Sequence, residues 1–116
     1  MELQTEHLGD YTLARPQTTR LDAAAASGLR NATADLANQN HVRVVLDLAG
    51  VELVDSSGLG ALIHMHKTFE PVGRLVLCHV DPKVTQLFKV TRLQRIFAIA
   101  GTLEEAAKLV KGGVGS

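Results

Sequence analysis

At 116 residues the chain is long enough for one domain with a real core and too short for a binding domain plus a separate catalytic one. Lys and Arg number 12 and Asp and Glu 12, so no net field draws the chain onto nucleic acid or an anionic membrane. The only cysteine, Cys78, lies in the apolar run Leu75-Val76-Leu77-Cys78, which excludes an internal disulfide and fits a small core residue in a reducing compartment.

Residues Met1 to Glu6 lack the charged and apolar regions of a signal peptide, and no apolar run approaches the roughly 18 residues that a membrane helix needs. The expected location is the cytoplasm, with no direct membrane insertion. Glu2 to His7 and Tyr11 to Ala14, separated by Gly9-Asp10, read as a hairpin spanning about residues 2–15. Pro16 is expected to interrupt or end the second strand, or to confine it to an edge, because proline gives no N–H to a ladder. Gln17 to Leu21 then reads as a connector. Asp22 is placed to cap a helix over 22–38, in which Ala25, Leu29, Ala32 and Leu36 make one apolar stripe.

The run Val42 to Leu48 has the nearly continuous valine and leucine content of a strand covered on both faces. A loop leads to Asp55-Ser56-Ser57-Gly58-Leu59-Gly60, which opens a helix running to about Phe69. Leu59, Leu62, Ile63 and Phe69 fall on one side of that helix; Gly58, Ala61, Met65 and Thr68 fall on a neighbouring, small side. Pro71-Val72-Gly73 breaks it, and Arg74 to His79 reads as another buried strand. Asp81-Pro82 is a cap followed by proline at the first helical position, with Val84, Leu87 and Phe88 on the core side of the next helix. A short strand is expected near Ile96 to Ala98. Thr102-Leu103-Glu104-Glu105 matches a capping box, and Leu103, Ala106, Ala107 and Val110 form the last stripe. Gly112-Gly113 closes that helix, leaving a frayed tail over 111–116. The alternation predicts an α/β single domain over 1–116, with a core at 21–110 and a central mixed, mostly parallel sheet of four to five strands with about four helices.

The stretch around Asp55-Ser56-Ser57-Gly58 is where function is expected, because small residues at a helix start leave backbone N–H groups open to an anion or a partner. The residues alone leave three readings. Asp and Ser are common helix caps. A serine nucleophile is a second possibility, but there is no G-x-S-x-G elbow and no feature designates a histidine as its base. The third is a phosphoacceptor serine at a contact surface. No Walker or G-x-G-x-x-G loop is present, and no cofactor is expected. His64 and His66 are two apart on a helix, face different ways and are set aside as a metal site. Lys83, Lys89, Arg92 and Arg95 read as a local basic patch of the kind that is usually a solvated face. Asp47 either borders the motif or ends its strand.

Val45-Leu46-Asp47-Leu48, Val54, Asp55-Ser56-Ser57-Gly58-Leu59-Gly60 and the later Val76-Leu77-Cys78 to Phe88 closely resemble the STAS domain of bacterial anti-sigma-factor antagonists, as does Leu21-Asp22. The resemblance runs from about Leu21 to Val110, and its specific part is the D-S-S-G-L-G element. It departs at Thr19-Arg20, where a glycine and an acidic residue are more usual. The resemblance implies a non-enzymatic protein that binds a partner which is both anti-sigma factor and serine kinase, thereby releasing a sigma factor or other target. It implies phosphorylation at Ser56 as the off switch and a phosphoserine phosphatase as the reset. The partner surface it implies is Asp22, Asp55, Ser56, Ser57, Gly58, Leu59, Gly60, Ala61 and Met65. The alternative is a structural STAS subunit, in a stress-signalling scaffold or a lipid-transport ATPase complex.

Overall fold

The computed structural model describes residues 1–112. Strand β1 (Glu2–His7) turns back through Leu8 to Tyr11 into β2 (Thr12–Gln17), with the Leu8 N–H donating to the Tyr11 carbonyl at 2.9 Å. Gly9 makes this turn at φ +79°, a conformation that other residues rarely adopt. Pro16 lies inside β2 instead of ending it. The pairing of β2 with its other neighbour stops at Ala14, so at Pro16 the strand has a partner on one side only, the edge position that proline tolerates.

The remaining elements are β3 (Arg20–Leu21), α1 (Ala23–Asn38), β4 (Arg43–Asp47), β5 (Leu53–Val54), α2 (Ser56–Phe69), β6 (Arg74–Cys78), α3 (Pro82–Val90), a 3-10 turn at Leu93–Arg95, β7 (Ala98–Ala100) and α4 (Leu103–Gly112). The main sheet has the order β1-β2-β4-β6-β7. Only β1–β2 is antiparallel, which gives the expected mixed, mostly parallel sheet of five strands with four helices. Val44, Val45 and Leu46 are fully buried because β4 is covered on both faces. Val44 and Leu46 meet a core shared with Leu29, Leu62, Met65, Phe69 and Phe88, on the side of α1, α2 and α3. Val45 joins Val76, Cys78, Ala106 and Val110, on the side of α4. Arg43, at the start of β4, ties that central strand to the last turn of α4 by donating to the carbonyls of Val110 and Lys111.

Several expectations shift in detail. The stripe of α1 is Ala25, Ala26, Leu29, Thr33 and Leu36; Ala32 is only half-buried, and Thr33 enters the core by donating its hydroxyl to the Leu29 carbonyl at 2.8 Å. On α3 it is Val84 and Phe88 that are buried, while Leu87 lies at the border. The last strand starts at Ala98, not Ile96. Arg92 adopts a left-handed conformation that ends α3, and the turn after it drives Leu93 and Phe97 into the core before the strand begins. The segment 17–21 is not wholly a connector, since Arg20–Leu21 pairs in parallel with Leu53–Val54. Lys111 and Gly112 belong to α4; the rest of the expected frayed tail lies outside the described residues.

Candidate functional site

The small β3–β5 pair sets two helices side by side. Leu21 pairs with Val54, so the next residues, Asp22 and Asp55, occupy equivalent positions. Each caps the helix that follows it. Asp22 Oδ1 accepts from the Ala25 N–H at 3.1 Å, and Asp55 Oδ1 from the Gly58 N–H at 3.0 Å. Each such cap contributes about 0.5–2 kcal/mol. The Asp55 N–H donates to the Leu21 carbonyl at 3.1 Å, which fixes the start of α2 against β3.

Gly58 explains how close that approach is. A Cβ built there would lie 2.1 Å from the Leu21 carbonyl oxygen and 2.7 Å from Leu21 Cβ, so only glycine lets the first turn of α2 seat on β3. Ser56 and Ser57 sit on the open side of the same turn and are exposed, as is Asp55. Because Asp55 supplies the cap, the Ser56 hydroxyl is not committed to it. Ser57 lines a shallow groove between α1 and α2 with Ala23, Ala26, Ser27 and Arg30; a second depression, formed by Arg20, Leu21, Asp22, Leu53 and Asp55, lies between the two caps. Arg20 is marked in the sequence only as part of the departure at Thr19-Arg20, and no local pattern marks Leu53; the two-residue strand pairing brings both to the site.

The expected partner surface divides in two. Asp22, Leu59 and Gly60 are partly exposed, and Asp55, Ser56 and Ser57 are exposed. Ala61 and Met65 are 0 % exposed and Gly58 is buried, so the small side of α2 does not form a docking face. Its small residues serve the interior, where they let α2 pack closely on β3, α1 and the sheet. His64 is exposed, and His66 packs edge-on against Phe97 with ring centroids 5.8 Å apart. Lys83, Lys89, Arg92 and Arg95 are all exposed.

Asp47 does more than end its strand. It is 3 % exposed at the C-terminal end of β4, where Oδ2 accepts from Arg15 Nε at 3.0 Å and Oδ1 accepts from the Ala49 N–H at 3.0 Å. His79 Nδ1 lies 2.9 Å from Oδ1. Burial alone would raise the Asp47 carboxyl, but the hydrogen bonds from Ala49, His79 and Arg15 outweigh it and hold the group below its ordinary value. Neighbouring Cys78 is the buried residue expected from its sequence, its thiol pushed up to about 12 by burial first and then by the Asp47 charge.

Residues 3–106 match the STAS domain family. The chain belongs to that family. BtrV of Bordetella bronchiseptica, named as an anti-sigma factor antagonist, is 33 % identical over 92 residues, covering 78 % of this chain and 79 % of the relative. The phosphorylated form of the Bacillus cell fate determinant SpoIIAA superposes with a TM-score of 0.70 at 25 % identity, over 94 % of this chain and 99 % of that one. A Thermotoga maritima crystal structure shares the STAS fold, with a TM-score of 0.82 at 24 % identity and 93 % coverage of both chains. Among the described residues no helix of this STAS domain is long and apolar enough to cross a membrane.

Proposed function

We propose that this STAS domain is an anti-sigma-factor antagonist that docks through the starts of α1 and α2 and is switched off by phosphorylation of Ser56. The observation that carries the reading is an exposed serine at the first position of α2, beside an aspartate that caps the helix in its place. The names of its relatives point the same way. The occupant is an anti-sigma factor that is also a serine kinase; ATP belongs to that partner, and a phosphoserine phosphatase resets the switch. The protein itself is a cytoplasmic binding module, not an enzyme.

The surface consists of Asp22, Asp55, Ser56 and Ser57, with Leu59 and Gly60 at its border and Arg20 and Leu53 between the caps. A phosphate on Ser56 adds about 1.5–2 negative charges at a helix N-terminus, whose free N–H groups and dipole favour an anion, so the domain stays folded. At a closed interface the same phosphate lies beside Asp55 and loses its water. Desolvating an unpaired anion next to a like charge costs several kcal/mol, enough to lower affinity by orders of magnitude.

Incubation with the cognate anti-sigma factor and ATP should place one phosphate on Ser56, located by mass spectrometry. Ser56→Ala should bind the partner as the unmodified protein does, and Ser56→Asp at least about tenfold more weakly, a difference of roughly 1.4 kcal/mol. Equal binding by the two variants would refute the electrostatic switch. Stable copurification with an ATPase or a large assembly, whatever the state of Ser56, would favour a structural subunit instead.

A further inference from the structure

The geometry points to a second site, on the opposite face of the sheet from α2: a binding site for a thiophilic divalent cation such as Zn²⁺, formed by Asp47, Cys78 and His79. Asp47 ends β4 and Cys78 ends β6, and the two are direct partners in the β4–β6 register, so their side chains project to the same face. His79 follows in a left-handed conformation, φ 55°, which turns its ring back toward Asp47. One carboxylate oxygen, the thiol sulfur and an imidazole nitrogen all lie within 4.8 Å of one another. Such a mixed oxygen, sulfur and nitrogen set suits Zn²⁺. The cluster lies at the C-terminal ends of two adjacent parallel strands, the end of an open α/β sheet where ligands bind.

The surrounding groups favour this class of ion over others. Arg15 holds Oδ2 and the Ala49 N–H holds Oδ1, so the carboxylate is oriented by outer hydrogen bonds as metal-ligating carboxylates commonly are. The guanidinium also opposes any cation held by charge alone. Mg²⁺ and Ca²⁺ would find a single carboxylate already paired with Arg15, and neither gains much from sulfur. Zn²⁺ gains a thiolate. On binding, the Cys78 S–H bond breaks and its proton passes to solvent as the S–Zn bond forms; His79 changes from the tautomer that donates Nδ1–H to Asp47 to the one protonated on Nε2, which frees Nδ1 for the metal with no net proton lost from the ring. His79, 41 % exposed in its side chain, lies on the solvent side of the cluster, where a water or a donor from another molecule completes the coordination.

Co²⁺ is the probe, because a thiolate bound to it gives a near-ultraviolet charge-transfer band and a tetrahedral site gives strong visible absorption. The purified chain, reduced and freed of metal, should develop both with a single equivalent bound, and Zn²⁺ should displace the signal. Cys78→Ala should abolish the charge-transfer band. His79→Ala, a change at a part-exposed side chain outside the apolar core, should keep the circular dichroism of the folded domain and weaken binding by at least about 100-fold, more than loss of a merely supporting outer partner costs. Absence of the band in the wild-type protein with excess Co²⁺ would overturn the proposal. So would a band that persists with unchanged affinity in both His79→Ala and Asp47→Asn. No partner enters this titration, so its result is independent of the Ser56 switch.

Discussion

Two glycines of α2, two residues apart, should respond to the same substitution with opposite signs. At Gly58 an alanine Cβ would stand 2.1 Å from the Leu21 carbonyl oxygen, against an ordinary contact of 3.4 Å or more, so α2 and β3 must separate by about 1.3 Å. The obstacle is backbone, and it also receives the Asp55 N–H, so the movement strains the hydrogen bond that anchors the helix start. Overpacking of this kind costs about 1–3 kcal/mol, and the loss of that anchor about 0.5–1.5 kcal/mol more. The intrinsic preference of a helix for alanine over glycine returns up to about 1 kcal/mol. Gly58→Ala should therefore destabilise by about 0.5–3.5 kcal/mol. At Gly60 the added Cβ meets only the tip of Arg30, at 3.3 Å, and that flexible side chain can move aside. The helix preference then dominates, and Gly60→Ala should stabilise by about 0.5–1 kcal/mol. Urea unfolding followed by circular dichroism reads both, as midpoint shifts of opposite direction with unchanged slope. A Gly58→Ala protein as stable as wild type would refute the seating of α2 on β3.

The remaining tests use the same unfolding assay unless stated. Asp22→Ala and Asp55→Ala should each cost about 0.5–2 kcal/mol, because each removes the acceptor for a first-turn N–H; no loss from either would show that solvent caps that helix equally well. Phe69→Ala, at a fully buried side chain, should cost about 3–5 kcal/mol, and a loss below 1 kcal/mol would contradict its place in the core. Asp47→Asn should make the protein less stable at neutral pH. The Asp47 carboxyl is held below its ordinary value in the fold, so its contribution is present above the unfolded value near 4 and disappears as pH falls through the folded one. The gap between wild type and variant should accordingly narrow on acidification, and a gap that widened would refute the sign. Cys78 of the metal-free protein should react with a bulky thiol reagent at mildly alkaline pH far more slowly than the denatured chain, since a buried thiol near 12 has roughly a thousandfold less thiolate than a free one near 9; labelling at the rate of the denatured chain would contradict its burial.

The elements legible in the sequence are those whose evidence is local. Asp22, Asp55, Asp81 and Thr102 announce their helices because a cap and the N–H it accepts are at most three residues apart. The run Val44-Val45-Leu46 announces a central strand through its own composition. What escaped depends on distant partners. Strands of two residues, such as β3 and β5, have no periodicity to read. Asp47 meets Arg15 and His79 across 32 residues in either direction, and neither partner is marked in its own stretch. Gly58, Ala61 and Met65 look like a shallow docking face when only the helix is considered. The reason for their size is the carbonyl of Leu21 and the core behind it, which the helical pattern alone does not contain.

Burial of that face narrows where a switch can act. With Ala61 and Met65 enclosed and Phe69 in the core, α2 presents its first turn to solvent and little apolar surface beyond Leu59 and Ile63. Most of the recognition area in the proposed complex is then drawn from two helix starts and the two-residue strands before them, in which Ser56 is central. A group that is central in a small contact is fully desolvated when the contact closes, and charge there weighs most heavily on affinity. The same helix start tolerates the charge when it is open to water, because its N–H groups already face outward. One position thus satisfies both demands of a reversible switch: a large effect on the complex and a small one on the fold. A phosphate moved to a mid-helix position such as His64, exposed but two turns away, would lack both the N–H groups that accommodate it and the contact that it disrupts.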